Sequence, residues 1–101
     1  MRDNPEEQRY EATVDGELAG FTTYRSRPGL IEFLHTEVGD AFEGQGVGSK
    51  LVSEALEDAR RRELEVLPFC PFVNSYIQKH PEYLDLVPES RREAFGLRPA
   101  P

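Results

Sequence analysis

The stretch Glu43-Gly44-Gln45-Gly46-Val47-Gly48-Ser49-Lys50 places three glycines at alternate positions, immediately before the most helix-like segment of the chain. Glycines in a loop that opens a helix let the backbone approach a ligand without a Cβ collision, and the unpaired N–H groups of the helix start favour phosphate. The dinucleotide fingerprint and the nucleotide triphosphate P-loop both require a glycine where Ser49 stands, so neither fits. The glycines alone therefore support only a turn.

The residues after the glycines have the period of an amphipathic helix. Val47, Leu51, Ala55 and Ala59 recur every fourth residue, and charged residues lie opposite them. We expect this helix to end near Arg62-Glu63.

The residues before the glycines predict three antiparallel strands. Residues 10–14 and 18–24 flank Asp15-Gly16, which is a tight hairpin signal. Arg27-Pro28-Gly29 makes a second turn, and residues 30–38 form a third, longer strand.

A short strand is expected after the helix, at residues 64–67. Because a strand, a crossover helix and a further strand form a right-handed βαβ unit, this strand should lie parallel to residues 30–38. Pro71 suits the first turn of a second helix, which should stop before His80-Pro81, and residues 83–87 are expected to dock as a last turn.

The predicted fold class is therefore α/β: an antiparallel three-strand meander, then a βαβ unit with a parallel strand pair, then a C-terminal helix. We expect one domain over residues 1–88 and a loose C-terminal tail over residues 89–101.

Composition excludes several function classes. The 101 residues suffice for one domain, and a formal net charge of −7 argues against binding to nucleic acid or to an anionic membrane. No apolar run approaches the roughly 20 residues of a membrane helix, and the N-terminus lacks the apolar core of a signal peptide, so we expect a cytoplasmic protein. The single cysteine, Cys70, precludes an intrachain disulfide, and neither it nor His35 or His80 has a neighbour at metal-ligand spacing.

The loop and its surroundings together resemble the GNAT acetyltransferase superfamily, in which a strand leads into Gln/Arg-x-x-Gly-x-Gly/Ala and a helix follows. Residues 43–48 align with that loop, glycines in place. The resemblance covers roughly residues 10–87 and is sharpest to the short, stand-alone YjdJ-type branch. It rests further on His35-Thr36-Glu37-Val38, Pro68-Phe69-Cys70-Pro71-Phe72-Val73, Tyr76-Ile77 and His80-Pro81-Glu82-Tyr83.

This resemblance implies a reduced GNAT fold that binds acetyl-CoA between the ends of strands 30–38 and 64–67. Backbone N–H groups of the loop would hold the pyrophosphate, with Ser49 and Lys50 as side-chain helpers. The backbone near Thr36, Glu37 and Val38 would pair with the pantetheine arm. The loop residues concerned are Gly44, Gln45, Gly46, Val47 and Gly48.

Two departures from the superfamily pattern are visible. Glu43 stands where Gln or Arg is usual, and because a carboxylate close to a pyrophosphate is unfavourable, we expect it to point away. A full-length GNAT also has two helices between its first strands, where this chain has only Asp15-Gly16. The acceptor site is therefore either very open or completed by a partner.

Four residues are candidates for the chemistry. Cys70 precedes Pro71 at a helix start, a position that favours thiol reactivity, and the resemblance places it near the thioester; the alternative is a small core residue. His35 alternates with Phe33 along its strand, so we expect the two on one side, with His35 either structural or a general base. Tyr76 would protonate the leaving thiolate or pack in the core. Asn74 would bind the pantetheine or cap locally.

The sequence thus predicts an acetyl-CoA-dependent N-acetyltransferase whose acceptor, a small molecule or a protein, is unidentified and is expected to be an amine. The alternative is a non-catalytic acyl-CoA-binding module that regulates or contacts another protein. The oligomeric state stays open.

Overall fold

Five strands form one sheet, in chain order, in a computed structural model that describes residues 2–97. The first four pair antiparallel, and the fifth pairs parallel to the fourth. The strands are β1 (Arg2–Asn4), β2 (Arg9–Val14), β3 (Glu17–Arg27), β4 (Leu30–Val38) and β5 (Glu65–Pro68). The predicted meander and the predicted parallel pair are confirmed, whereas β1 was not predicted.

Two main helices pack on one face of this sheet. Helix α1 (Val47–Arg61) crosses from β4 to β5 and buries an apolar stripe that includes Leu51, Ala55 and Ala59. Helix α2 (Pro71–Lys79) begins at its proline, as expected, and buries Val73 and Ile77 in the same core. No helix within residues 2–97 is long and apolar enough to cross a membrane.

The opposite face of the sheet carries ion pairs within and between strands. Glu11 on β2 pairs with Arg2 at 3.3 Å and with Arg9 at 2.7 Å. The Arg9 guanidinium also lies 4.6 Å from the centre of the Phe21 ring. On β4, Glu32 lies 3.4 Å from Arg27. These paired charges suit a face that meets water.

Residues 89–97, predicted as the start of a loose tail, form short helical turns that reach the core at Leu97. After a 3-10 segment (Pro81–Leu86), α3 (Glu89–Arg92) is followed by a 3-10 turn (Glu93–Phe95). Leu97 is only 3% exposed because it joins the hydrophobic core, and its N–H donates to the Arg92 carbonyl at 2.8 Å. Residues 98–101 of that prediction lie outside the described residues.

A polar cluster ties the C-terminal end of α1 to the first strands. The buried Tyr10 donates from its hydroxyl to Asp58 at 2.5 Å, and Tyr24 donates to Asp3 at 2.6 Å. Arg62 lies against both carboxylates. Burial raises the pKa of Tyr10, and the bond to Asp58 raises it further. Burial also acts to raise the pKa of Asp58, but hydrogen bonds from Tyr10, Arg62 and Arg61 outweigh it and lower that pKa.

Replacing Tyr10 with Phe should lower the free energy of unfolding by about 1 to 2 kcal/mol at pH 7, because a hydrogen bond to a carboxylate is lost. A lowered folded-state pKa stabilises the fold above the ordinary carboxyl pKa of about 4, and this contribution disappears as the pH falls through the lowered value. The difference between Tyr10→Phe and the parent should therefore shrink in acid. Urea unfolding at pH 7 and pH 3 measures it, and an equal difference at both would contradict the account.

Candidate active site

Strands β4 and β5 part halfway along β4. They pair only from Leu30 to Phe33, opposite Glu65 to Pro68. The Cys70 N–H then donates to the Phe33 carbonyl at 2.8 Å, which closes the ladder, while β4 continues to Val38. No described strand pairs with the β5 side of residues 34–38. This edge contains Thr36, Glu37 and Val38. The resemblance described above implies that the backbone of these residues pairs with the pantetheine arm.

The glycine loop ends in a helix start with free donors. Gly46 is the N-cap of α1 with a φ of 74°, a left-handed conformation that glycine adopts without strain. The first bond of the helix runs from the Lys50 N–H to the Gly46 carbonyl at 3.0 Å, so the N–H groups of Val47, Gly48 and Ser49 precede it. The Gln45 N–H donates to the Phe42 carbonyl at 3.3 Å, so it already has an acceptor in the turn.

Gly48 serves packing as well as the loop. A Cβ on Gly48 would lie 2.7 Å from Phe72 Cζ and 3.3 Å from Val38 Cγ2. The missing side chain therefore lets the start of α1 approach both the first turn of α2 and the end of β4. No local sequence pattern indicates this contact, because it joins residues far apart in the chain.

The charges around this helix start suit an anion. No acidic residue lies in the first turn of α1, and Ser49 and Lys50 are both exposed there. Glu43 is exposed at the end of the preceding 3-10 turn (Asp40–Phe42). A Cβ added at Gly46 would meet nothing within 4 Å, so the space beside its backbone is open. The positive end of the helix dipole, with the exposed Ser49 and Lys50, thus lies beside an accessible space, whereas Gly48 is buried.

Cys70 lies at the point where the strands part. It is the N-cap residue of α2, its thiol is free, and only 2% of its surface is exposed. Its Sγ lies 3.3 Å from Thr36 Oγ1. The residue is thus a member of the core and also a neighbour of the open β4 edge, so both interpretations of Cys70 from the sequence have a basis in the structure.

His35 lies on the face opposite Phe33, so the expectation that they share a side is wrong. The register between β3 and β4 shifts at Leu34, because Tyr24 pairs with Phe33 while Thr23 pairs with His35. This bulge resets the alternation of side chains. The His35 side chain is 60% exposed, and its Nε2 lies 3.7 Å from Glu37 Oε2.

Tyr76 lines a small cavity between the start of α1 and one side of α2. Its ring stacks on His80 with a centroid distance of 4.0 Å, and His80 Nδ1 lies 2.9 Å from the Tyr76 carbonyl oxygen. The cavity measures about 120 Å³. Its lining is Ser49, Phe72, Ser75, Tyr76, Lys79 and His80. Tyr76 also packs against the core, the second of the two roles that the sequence allowed.

Asn74 uses its side-chain amide within the protein. Its Nδ2 donates to the Phe95 carbonyl at 2.9 Å, and its Oδ1 accepts from Gln78 at 2.7 Å. A bond to pantetheine would thus compete with the anchoring of residues 93–97. The sequence could not reveal this anchor, since Phe95 lies in the segment expected to be loose. Among residues 2–97, no three His, Cys, Asp or Glu side chains are grouped so as to hold a metal ion.

Comparisons with known proteins agree with this geometry. A family model described as GCN5-related N-acetyl-transferase matches residues 9–86. The NMR structure of a GCN5-like N-acetyltransferase candidate from Staphylococcus aureus superimposes with a TM-score of 0.63 and 31% identity, covering 81% of this chain and 82% of that one. Protein NATD1 from Gallus gallus and from Mus musculus is 29% identical over 58 residues, 55% of this chain. The alignment spans about half the length of these curated relatives, 53% in each.

Replacing Asn74 with Ala should loosen residues 93–97, because the amide bond to Phe95 is lost. We expect the protecting free energy of the Leu97 amide to fall by about 1 kcal/mol, which is roughly a fivefold faster hydrogen exchange. Gln78→Ala is the matched control, since it removes the neighbouring amide and leaves the Phe95 bond. Equal exchange in both variants would contradict this anchor.

Proposed function

The chain belongs to the GCN5-related N-acetyltransferase family, and on that premise we propose that it is an acetyl-CoA-dependent N-acetyltransferase that acts on an amine. The observation that carries the proposal is the contact between the two halves of the site. Gly48 at the start of α1 lies against Val38 at the end of β4. A ligand with a phosphate end and an extended arm would meet free donors at α1 and an unpaired strand edge at β4.

The residues present fit coenzyme A. Its pyrophosphate needs donors in a chain of net charge −7, and the N–H groups of Val47, Gly48 and Ser49 provide them, with Lys50 beside them. Its amide-bearing arm needs backbone partners, which Thr36 to Val38 offer. The open space beside Gly46 leaves room for the phosphates. When bound, acetyl-CoA supplies an activated acetyl group as a thioester.

Cys70 is our candidate for the first acceptor of the acetyl group. It lies beside the unpaired edge of β4, at the start of α2, where helix N–H groups favour a developing negative charge. In the transfer, Cys70 Sγ bonds to the acetyl carbon as the bond between that carbon and the coenzyme A sulfur breaks, and the thiol proton passes to solvent while the departing sulfur takes up one proton. Tyr76, at the cavity between the helices, is the candidate donor of that second proton.

His35 is our candidate base for the second transfer. It is exposed on the face of the sheet opposite Cys70, beside the gap at residues 34–38 where β5 no longer pairs with β4, so an amine in this gap would lie between the two side chains. Glu37 lies beside the His35 ring. Such a base would take the proton of the amine as the amine bonds to the acetyl carbon and the bond to Cys70 Sγ breaks.

A non-catalytic acyl-CoA-binding module is the alternative, and one observation favours it. Only the turn at Asp15 and Gly16, both with positive φ, joins β2 to β3. No helix lies at this connection to wall an acceptor site. Turnover separates the two functions: release of coenzyme A in the presence of amines supports the enzyme, and binding without release supports the module.

Gly46→Asp should abolish stabilisation by coenzyme A, whereas Gly46→Asn should retain most of it. Both side chains have nearly the same shape, and both residue types tolerate a positive φ better than most, so the charge is the main difference. At ten times the dissociation constant, the ligand should stabilise the parent by about 1.4 kcal/mol and raise its Tm by roughly 5 °C or more. A thermal shift that persists in Gly46→Asp would show that the loop does not hold the phosphates.

The two proposed transfers should respond to different substitutions. After incubation with acetyl-CoA, intact-mass analysis should show one acetyl adduct in the parent and in His35→Gln, and none in Cys70→Ala. With an amine added, His35→Gln should slow acetylation of that amine by about 100-fold or more, because general base catalysis is lost. An adduct that survives in Cys70→Ala, or an unaltered amine rate in His35→Gln, would remove that residue from the mechanism.

A further inference from the structure

A chain of three polar groups crosses the place where β4 and β5 part. Thr22 Oγ1 lies 2.8 Å from Thr36 Oγ1, and Thr36 Oγ1 lies 3.3 Å from Cys70 Sγ. Thr22 is fully buried and Cys70 is 2% exposed, while Thr36 is partly buried. The two buried groups, Thr22 and Cys70, therefore form hydrogen bonds with Thr36 rather than with water.

The bulge at Leu34 is what brings Thr36 to this face. Regular alternation from Phe33 would turn His35 toward the helices and Thr36 away from them. With Leu34 left without a partner in the register, Thr36 pairs with Thr22 instead, and the two side chains share the helix side. Bulges re-aim side chains in this way at functional sites. Here the re-aimed group is a hydroxyl next to the only thiol of the protein.

We propose that Thr36 is a positioning residue for Cys70 and that Thr22 holds Thr36 in place for this task. A threonine hydroxyl both donates and accepts, so Thr36 accepts from the S–H group of the neutral thiol and rotates to donate when the sulfur becomes negative. Among the three polar groups, Thr22 is the fixed one, since its side chain is packed in the sheet. The orientation of the sulfur thus needs no histidine. Only the purpose of that orientation rests on the proposed acetyl transfer.

The S–H stretching band of the protein tests the hydrogen bond without any ligand. Because Cys70 is the only cysteine, it gives the only such band, and Cys70→Ala supplies the blank. Thr36→Val keeps the side-chain shape and removes the hydroxyl, so the band should move to higher frequency and narrow. Thr36→Ser keeps the hydroxyl and should leave the band near its parent position. An identical band in the parent and both variants would overturn the proposal.

Thr22→Val covers the case in which Thr36→Val does not fold. It leaves the Thr36 hydroxyl beside the sulfur but removes the group that fixes it, so the S–H band should broaden. A band unchanged by Thr22→Val would overturn the part assigned to Thr22.

The rate at which the Cys70 acetyl adduct forms tests whether the positioning of the thiol by Thr36 speeds the acetyl transfer. Thr36→Val should slow it about tenfold, the effect of about 1.4 kcal/mol in the barrier, while Thr36→Ser should stay within about threefold of the parent. Equal rates in the parent and Thr36→Val would overturn the positioning role and leave the acetyl transfer standing. If no adduct forms in any protein, the proposed acetyl transfer to Cys70 fails, and the S–H band still decides whether Thr36 holds the thiol.

Discussion

The hydrogen bond from the Cys70 N–H to the Phe33 carbonyl, 2.8 Å long, ends the parallel pairing and turns the chain into α2. Since β5 stops at this bond, residues 34–38 of β4 run on without a partner on that side. The same parting brings the starts of α1 and α2 together, with Phe72 against Gly48. The open edge of β4, the start of α1 and the Cys70 thiol therefore lie close together, because the pairing between β4 and β5 is short.

The distribution of charge explains how an acidic chain presents a site for an anion. Glu11 and Glu32 are paired with arginines on the far face of the sheet, and Asp58 is held by Tyr10 and Arg62 at the C-terminal end of α1. The first turn of α1 carries no carboxylate. In the proposed function, backbone N–H groups at this helix start would hold the phosphates, and such groups attract an anion without a net positive charge on the protein. The net charge of −7 thus argues against non-specific attraction of polyanions without opposing a local phosphate site.

Much of the fold could be predicted because its signals are local. The bounds of β4 and the starts of both main helices follow from turn residues, from hydrophobic period and from Pro71. The site was harder, since a bulge depends on cross-strand register, which no local pattern reports. The bulge at Leu34 therefore reverses the predicted side of His35 and turns Thr36 toward the helices. The packing of Leu97 and the Asn74–Phe95 bond were missed for a related reason: both depend on contacts between segments distant in the chain.

Coenzyme A, in the proposed function, would bind across the start of α1 and the unpaired edge of β4. A titration of the ¹⁵N-labelled protein with coenzyme A, followed by NMR, tests it most directly. We expect the amide signals of Val47, Gly48 and Ser49 to shift together with those of residues 36–38, while the amide signals of Tyr10 and Arg62, at the other end of α1, stay in place. Shifts that cluster around Tyr10 and Arg62, or no shifts at millimolar ligand, would contradict it.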